Sequence, residues 1–150
     1  MKSGVPDKAS LSIAIQTANL RRNFPFGTLS ASPSKLRWQG AIKHDDTSRS
    51  YNVELIYKIG DHPEVFVREP NLKLLAGDRK LPHVYDEQTQ LLCLYVPGCN
   101  FWSADKLIAS TIMPWTCLWF RHFENWLVTD IWHGLGHHPT PKKPLRKNLK

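Results

Sequence analysis

The hydrophobic pattern of this chain changes its period along the sequence, and that change limits the folds it can adopt. Three segments, at residues 36–42, 51–57 and 63–67, alternate apolar and polar residues as strands with one wet face do. After residue 102 the apolar residues recur at helical spacing instead. Because the strand and helix patterns occupy separate parts of the chain, we predict an α+β fold built on an antiparallel meander sheet.

An N-terminal amphipathic helix is predicted over residues 10–22, ahead of the sheet. Its apolar face would consist of Leu11, Ile15 and Ala18, and Asp7 or Ser10 would cap its first turn. The stretch 27–34, which follows Pro25, is rich in turn-forming residues and is predicted to be a connection that precedes the first strand.

Two helices are predicted after residue 102. Ser103 would cap the first, whose shared face would consist of Ala104, Leu107, Ile108 and Thr111. Pro114 suits the first turn of the second, whose apolar stripe would consist of Trp115, Trp119, Phe123, Trp126 and Leu127. The helical spacing of this stripe favours a buried core over a platform on which nucleic-acid bases stack.

Between the sheet and these helices, residues 71–101 lose their periodicity. Loops of this length are uncommon in compact domains unless they are functional. The segment holds Cys93, flanked by Leu92 and Leu94, and His83 in a Leu-Pro-His sequence. A thiolate at such a position would attack an acyl carbonyl, whereas a thiol buried between the two leucines would be inert.

Composition indicates one domain and a basic tail. A chain of 150 residues and 17.3 kDa with 41% hydrophobic residues can fill a single core, which we place at residues 1–139. The net charge is +7, but five of the basic residues lie in the last nine, so we predict that residues 140–150 are a disordered tail, and this distribution weakens the case for a nucleic-acid partner. No apolar run reaches the roughly 18 residues of a membrane span, and no signal peptide is recognisable, so we predict a cytoplasmic protein without a membrane partner.

The cysteines and the C-terminal histidines do not indicate a metal site or a disulfide framework. Cys93, Cys99 and Cys117 are odd in number and form no CxxC pair, so reduced thiols are expected, the last two in structural roles. His133, His137 and His138 invite a zinc interpretation, but two intervening glycines disrupt the helix that would align them. We therefore predict no metal and no cofactor.

The order of three short motifs resembles that of ubiquitin-conjugating enzymes. They are Leu81-Pro82-His83, Cys93-Leu94 and Trp102-Ser103, and the resemblance covers roughly residues 7–135. The Leu-Cys-Leu-Tyr sequence and the ending at residues 132–139 are similar to the ubiquitin-conjugating-enzyme-like proteins of bacterial type II CBASS anti-phage systems. The resemblance implies a ubiquitin-conjugating-enzyme-like fold in which Cys93 forms a thioester with the C-terminus of a cGAS-like nucleotidyltransferase and passes it to an amine.

Two departures from that pattern concern His83. It stands where the enzymes carry asparagine, and the ten residues from it to Cys93 are more than the interval usual in the eukaryotic enzymes. His83 would either stabilise the oxyanion or assist proton transfer, or it would order the loop by packing on Tyr85. Tyr85, Tyr95 and Trp102 would wall the groove of the thiol or simply pack in the core.

The source of the activated acyl group must be another protein, because this chain has no glycine-rich nucleotide-binding segment. The acceptor is not indicated by the sequence. Two alternative functions stay open at this stage: a catalytically inactive binding module of the same fold and a basic nucleic-acid-binding protein.

Overall fold

The computed structural model describes residues 9–95 and 102–134, and these form an α+β domain. Its elements are α1 (Ile13–Asn23), β1 (Thr28–Ser32), β2 (Lys35–Ile42), β3 (Tyr51–Lys58), β4 (Glu64–Glu69), α2 (Leu72–Ala76), β5 (Val84–Asp86), β6 (Leu91–Leu92), a 3₁₀ helix (Ile108–Ser110) and α3 (Ile112–Thr129). The predicted α+β class, with an N-terminal helix, an antiparallel sheet and a C-terminal helix, is confirmed.

The sheet has six strands in the order β1-β2-β3-β4-β6-β5, and its first four strands form the predicted meander. In the register, Leu55 of β3 lies opposite Trp38 of β2 and Val65 of β4. These three side chains belong to the buried face, and the alternation places charged residues on the other face, where Arg68 pairs with Glu54 at 2.8 Å. The period-2 pattern therefore predicted both faces correctly.

Strand β1 was not predicted, because we expected a turn-rich connection over residues 27–34. Thr28 to Ser32 pair with β2 in an antiparallel register that ends at Ser32 opposite Lys35, which leaves only two residues for the turn. Four of the five residues of the strand are exposed. It is an edge strand that is held by backbone hydrogen bonds to β2. Because it buries few side chains, its sequence carries no alternating apolar pattern.

Helix α1 begins at Ile13, with Ser12 as its N-cap: the Ser12 hydroxyl accepts the backbone N–H of Ile15 at 3.1 Å. The predicted cap Ser10 was therefore wrong, and Asp7 lies outside the described residues. The predicted apolar face was also wrong, because the buried residues are Ile13, Gln16, Thr17 and Leu20.

Gln16 is the reason for that error. Its amide donates to the Lys106 carbonyl at 2.9 Å and accepts the N–H of Ile108 at 2.9 Å, so a polar residue occupies the packed face of α1. The two bonds attach the helix to the segment before α3.

That segment is not the helix that we predicted from Ser103. The Ser103 hydroxyl bonds to the Asp105 carboxylate, and the only helical turn within residues 102–111 is the 3₁₀ helix. Helix α3 then begins at Ile112, so Pro114 lies in its first turn as expected. The tryptophan stripe is core as predicted: Trp119, Phe123 and Trp126 are buried, and Trp115 and Leu127 are partly buried against them.

Residues 71–95, which we predicted to be irregular, contain α2, β5 and β6. Leu91 of β6 pairs with Phe66 of β4, and Leu92 pairs with Val84 of β5, so this segment extends the sheet. The short strands place Cys93 directly after β6 and His83 directly before β5. No helix within the described ranges is long and apolar enough to cross a membrane.

Candidate active site

The backbones of Cys93 and His83 are joined by a hydrogen bond. The N–H of Cys93 donates to the carbonyl of His83 at 3.0 Å, which continues the pairing of β5 with β6. The indole N–H of Trp119 donates to the same carbonyl, also at 3.0 Å. Thus the structure brings the two sequence-predicted residues together, and α3 supports the point at which they meet.

The conformation of His83 is constrained at both its backbone and its ring. Its φ of 52° is left-handed, a region that asparagine, aspartate and histidine adopt more readily than most residues. Its imidazole stacks on the indole of Trp132, with ring centroids 4.4 Å apart and planes inclined by 18°. The ring centroid of Trp132 in turn lies 5.5 Å from that of Trp119. Two tryptophans from the C-terminal part of the chain therefore pack together at this histidine.

The Cys93 thiol is buried, with 6% of the residue exposed. Its sulfur donates a long bond of 3.9 Å to the carbonyl of Tyr95, which also accepts the Tyr85 hydroxyl at 2.8 Å. Burial raises the pKa of the Cys93 thiol, and the contact with the Tyr85 hydroxyl partly opposes that rise. The resting thiol is therefore protonated at neutral pH, and it becomes a nucleophile only when it loses that proton.

A small pocket of about 110 Å³ is lined by the residues before and after Cys93 in the sequence, but not by Cys93 itself. Its lining comes from the start of β4, from β5 and β6, and from the residues that flank Cys93: His62, Pro63, Glu64, Tyr85, Leu91, Leu92, Leu94 and Tyr95. Two of the predicted groove residues, Tyr85 and Tyr95, line it. Trp102 does not; it packs on Tyr57 with ring centroids 5.6 Å apart.

A second histidine at the site was missed by the sequence reasoning. His62 lies in the loop between β3 and β4, and its Nδ1 shares a hydrogen bond of 2.8 Å with the Tyr95 hydroxyl. The only sequence signal was a histidine before proline in a short linker between two predicted strands.

One protein-family comparison decides what kind of protein carries this site. A family model for the type II CBASS E2 protein matches residues 16–139, which include the sheet, Cys93, His83 and Trp132. The chain belongs to the type II CBASS E2 family. This confirms the resemblance predicted from the motifs, and the E2-like role in anti-phage defence comes with the family. A search of curated proteins found no match.

The other candidate residues of this CBASS E2 protein lie apart from the pocket or outside the described residues. Cys117 is partly buried on α3, and burial raises the pKa of its thiol. Cys99, His137 and His138 lie outside the described residues. Within residues 9–95 and 102–134, no three histidine, cysteine or acidic side chains are grouped as a metal ion would require. Among the described residues, the predicted chemistry that is joined at one place thus consists of Cys93 and His83.

Proposed function

We propose that Cys93 accepts the C-terminus of a cGAS-like nucleotidyltransferase as a thioester and transfers it to an amine. The observation that carries the proposal is the hydrogen bond that joins the backbones of Cys93 and His83, in a chain whose family is that of the CBASS E2 proteins. Family membership supports an E2-like transfer, and the junction supports Cys93 as the residue that performs it.

The first step needs an acyl group activated by another protein. The Cys93 thiolate attacks the carbonyl carbon of an acyl-adenylate or a thioester, the new C–S bond forms, and the adenylate or thiol leaves. Because burial raises the pKa of the Cys93 thiol, little thiolate exists at neutral pH in the free protein. The resting protein is therefore slow to react with other electrophiles, and the incoming donor must displace the groups that cover the sulfur.

His83 is proposed to stabilise the oxyanion that forms when the carbonyl is attacked. Its backbone is fixed by the bonds to Cys93 and Trp119, and its ring is fixed by the stack on Trp132. A donor that is already ordered costs no reorganisation during the reaction. His83→Ala is expected to slow transfer by roughly 10² to 10³-fold, the range for the loss of one oxyanion donor.

A second variant separates the ring from the backbone. His83→Asn keeps a residue that tolerates the left-handed φ of 52° and offers an amide donor, so it is expected to retain more transfer than His83→Ala. If both variants melt early and neither binds the nucleotidyltransferase, His83 is a structural residue and the oxyanion role is wrong.

The thioester itself is tested by replacing the sulfur with oxygen. In cells that express the complete defence operon, Cys93→Ser is expected to trap an oxygen ester with the nucleotidyltransferase that survives reducing agent, whereas Cys93→Ala forms no conjugate. Cys117→Ser is the matched control, since that thiol lies on α3, and it is expected to behave like wild type. Conjugate formation by Cys93→Ala at the wild-type level would exclude the proposed role.

The burial of Cys93 favours one alternative, a catalytically inactive binding module. In that case Cys93→Ala would bind the nucleotidyltransferase and protect cells from phage as well as wild type does. Loss of protection with retained binding would reject the alternative.

A further inference from the structure

We propose that residues 130–134 form a strap that sets the orientation of the His83 imidazole, and that Trp132 is its positioning residue. The inference rests on the proposed oxyanion role of His83. It goes beyond that role because it assigns a task to the Trp-His-Gly sequence at residues 132–134. Trp132 and Gly134 take no part in the thioester chemistry themselves, and both act on it through the His83 ring.

The strap begins where α3 ends. Its first residue, Asp130, is the C-cap of α3 and has a left-handed φ of 64°, a conformation that aspartate tolerates. The N–H of Asp130 donates to the Trp126 carbonyl at 2.7 Å, so the chain leaves the helix axis at this point. Arg79 pairs with the Asp130 carboxylate at 3.3 Å. The start of the strap is therefore tied both to α3 and to the loop that precedes His83.

The indole of Trp132 contacts three other rings. It stacks on His83 with centroids 4.4 Å apart and planes inclined by 18°. Two rings of α3 also pack on it: His122, with centroids 5.6 Å apart, and Trp119, with centroids 5.5 Å apart. Because α3 sets the position of the indole, the stack holds the His83 ring in a fixed relation to that helix.

The strap passes so close to these rings that residue 134 has no room for a side chain. A Cβ at Gly134 would lie 2.5 Å from Nε1 of Trp132 and 2.9 Å from Cδ2 of His122. Both distances are well below the roughly 3.5 Å at which non-bonded atoms make a favourable contact. Neither ring is a flexible end that could swing aside. Glycine at this position therefore lets the backbone lie directly against the indole.

The number of orientations open to a histidine ring sets the size of the expected effect. Three staggered wells at χ1 and a roughly two-fold χ2 give about six orientations. If one of them directs the ring donor at the oxyanion, loss of the stack slows the reaction by up to about sixfold. This is less than the roughly 10² to 10³-fold expected when the ring itself is removed in His83→Ala.

The first arm of the test measures the stack without any reaction. The ring current of a stacked indole shifts the imidazole protons of His83 upfield in the proton NMR spectrum, and His83→Ala identifies the resonance by its loss. Trp132→Leu should abolish the upfield shift, whereas Trp132→Phe should keep part of it. Ile131→Ala is the matched control, because this side chain lies in the same strap but is 54% exposed, and it should leave the resonance in place.

The second arm measures chemical loading of Cys93 by a peptide thioester at a temperature where every variant is folded. Trp132→Leu and Gly134→Ala should load up to about sixfold more slowly than wild type. Trp132→Phe should recover most of the lost rate, and Ile131→Ala should load like wild type. In the His83→Ala background, Trp132→Leu should cause no further slowing, because the ring that it orients is missing.

This non-additivity separates orientation of the ring from general support of the backbone, which would persist without the ring. Equal slowing by Trp132→Leu with and without the His83 ring, no slowing at all, or a wild-type His83 resonance without an upfield shift overturns the inference while the Cys93 thioester stands. If His83→Ala loads as fast as wild type, the proposed role of His83 fails and the inference fails with it.

Discussion

Replacement of Trp119 by phenylalanine separates support of the active site from general stability. The indole N–H donates to the His83 carbonyl at 3.0 Å, and the ring stacks on Phe123 with centroids 5.1 Å apart. Phenylalanine keeps the stack and removes the donor. The free energy of unfolding of the variant should fall by about 1 kcal/mol because roughly 40 Å² less apolar surface is buried, and by about 1 kcal/mol more because the hydrogen bond is lost.

The control is Trp126→Phe on the same helix. Trp126 is also buried and stacks on Phe123, but its indole N–H makes no hydrogen bond within residues 9–95 and 102–134. Its expected loss of unfolding free energy is the surface contribution, about 1 kcal/mol, because phenylalanine keeps an aromatic face for the Arg79 guanidinium, which lies 4.2 Å from the centroid of the Trp126 ring. In thermal unfolding, where 1 kcal/mol corresponds to about 2–4 °C at this size, Trp119→Phe should melt about 4–8 °C below wild type and Trp126→Phe about 2–4 °C below.

The two variants should also differ in function, by up to the free energy of the one hydrogen bond. We assume that the full free energy of the Trp119–His83 hydrogen bond, about 1 kcal/mol, serves to order the backbone at Cys93. Since 1.36 kcal/mol corresponds to a tenfold change in rate, loss of this bond then slows chemical loading of Cys93 by about fivefold. Trp126→Phe should load like wild type at a temperature where both are folded. Equal slowing in both variants, or equal stability, would refute the role assigned to the Trp119 bond.

Three further predictions follow from the fold and the thiol. Gln16→Ala leaves the Lys106 carbonyl and the Ile108 N–H unpaired, so the free energy of unfolding in urea should fall by about 2–3 kcal/mol; a change near zero would mean that water replaces the side chain. Because the pKa of the Cys93 thiol is raised, loading by a peptide thioester should accelerate about tenfold per pH unit through neutral pH, and a flat profile would contradict this. Deletion of residues 140–150, beyond the family match, should leave loading unchanged; slower loading would show that the tail belongs to the functional domain.

The parts of the fold that were predicted from sequence are those whose apolar residues alternate or recur in a regular way. Strands β2 and β3 and the stripe of α3 bury side chains on one face, and that burial leaves a period in the sequence. Strand β1 buries almost nothing, so it leaves none. Helix α1 was found, but its buried face includes Gln16, whose partners lie about 90 residues away and cannot be read locally.

The same distinction applies to the site. Cys93 and His83 lie in short motifs that can be recognised within the chain, and β5 and β6 bring them together. The residues that hold them come from elsewhere: Trp132 stacks on His83 and His62 bonds to Tyr95. No local spacing predicts such contacts, because they depend on how α3 and the β3–β4 loop pack against the sheet edge.

The most direct test of the account is the mass of the acyl group at Cys93. Wild-type protein from phage-infected cells that carry the complete operon would be analysed by intact-protein mass spectrometry and peptide mapping, with and without thiol treatment. The account predicts a conjugate with the nucleotidyltransferase C-terminus that maps to Cys93 and disappears with thiol. Full phage protection by cells in which Cys93 is never acylated would contradict it.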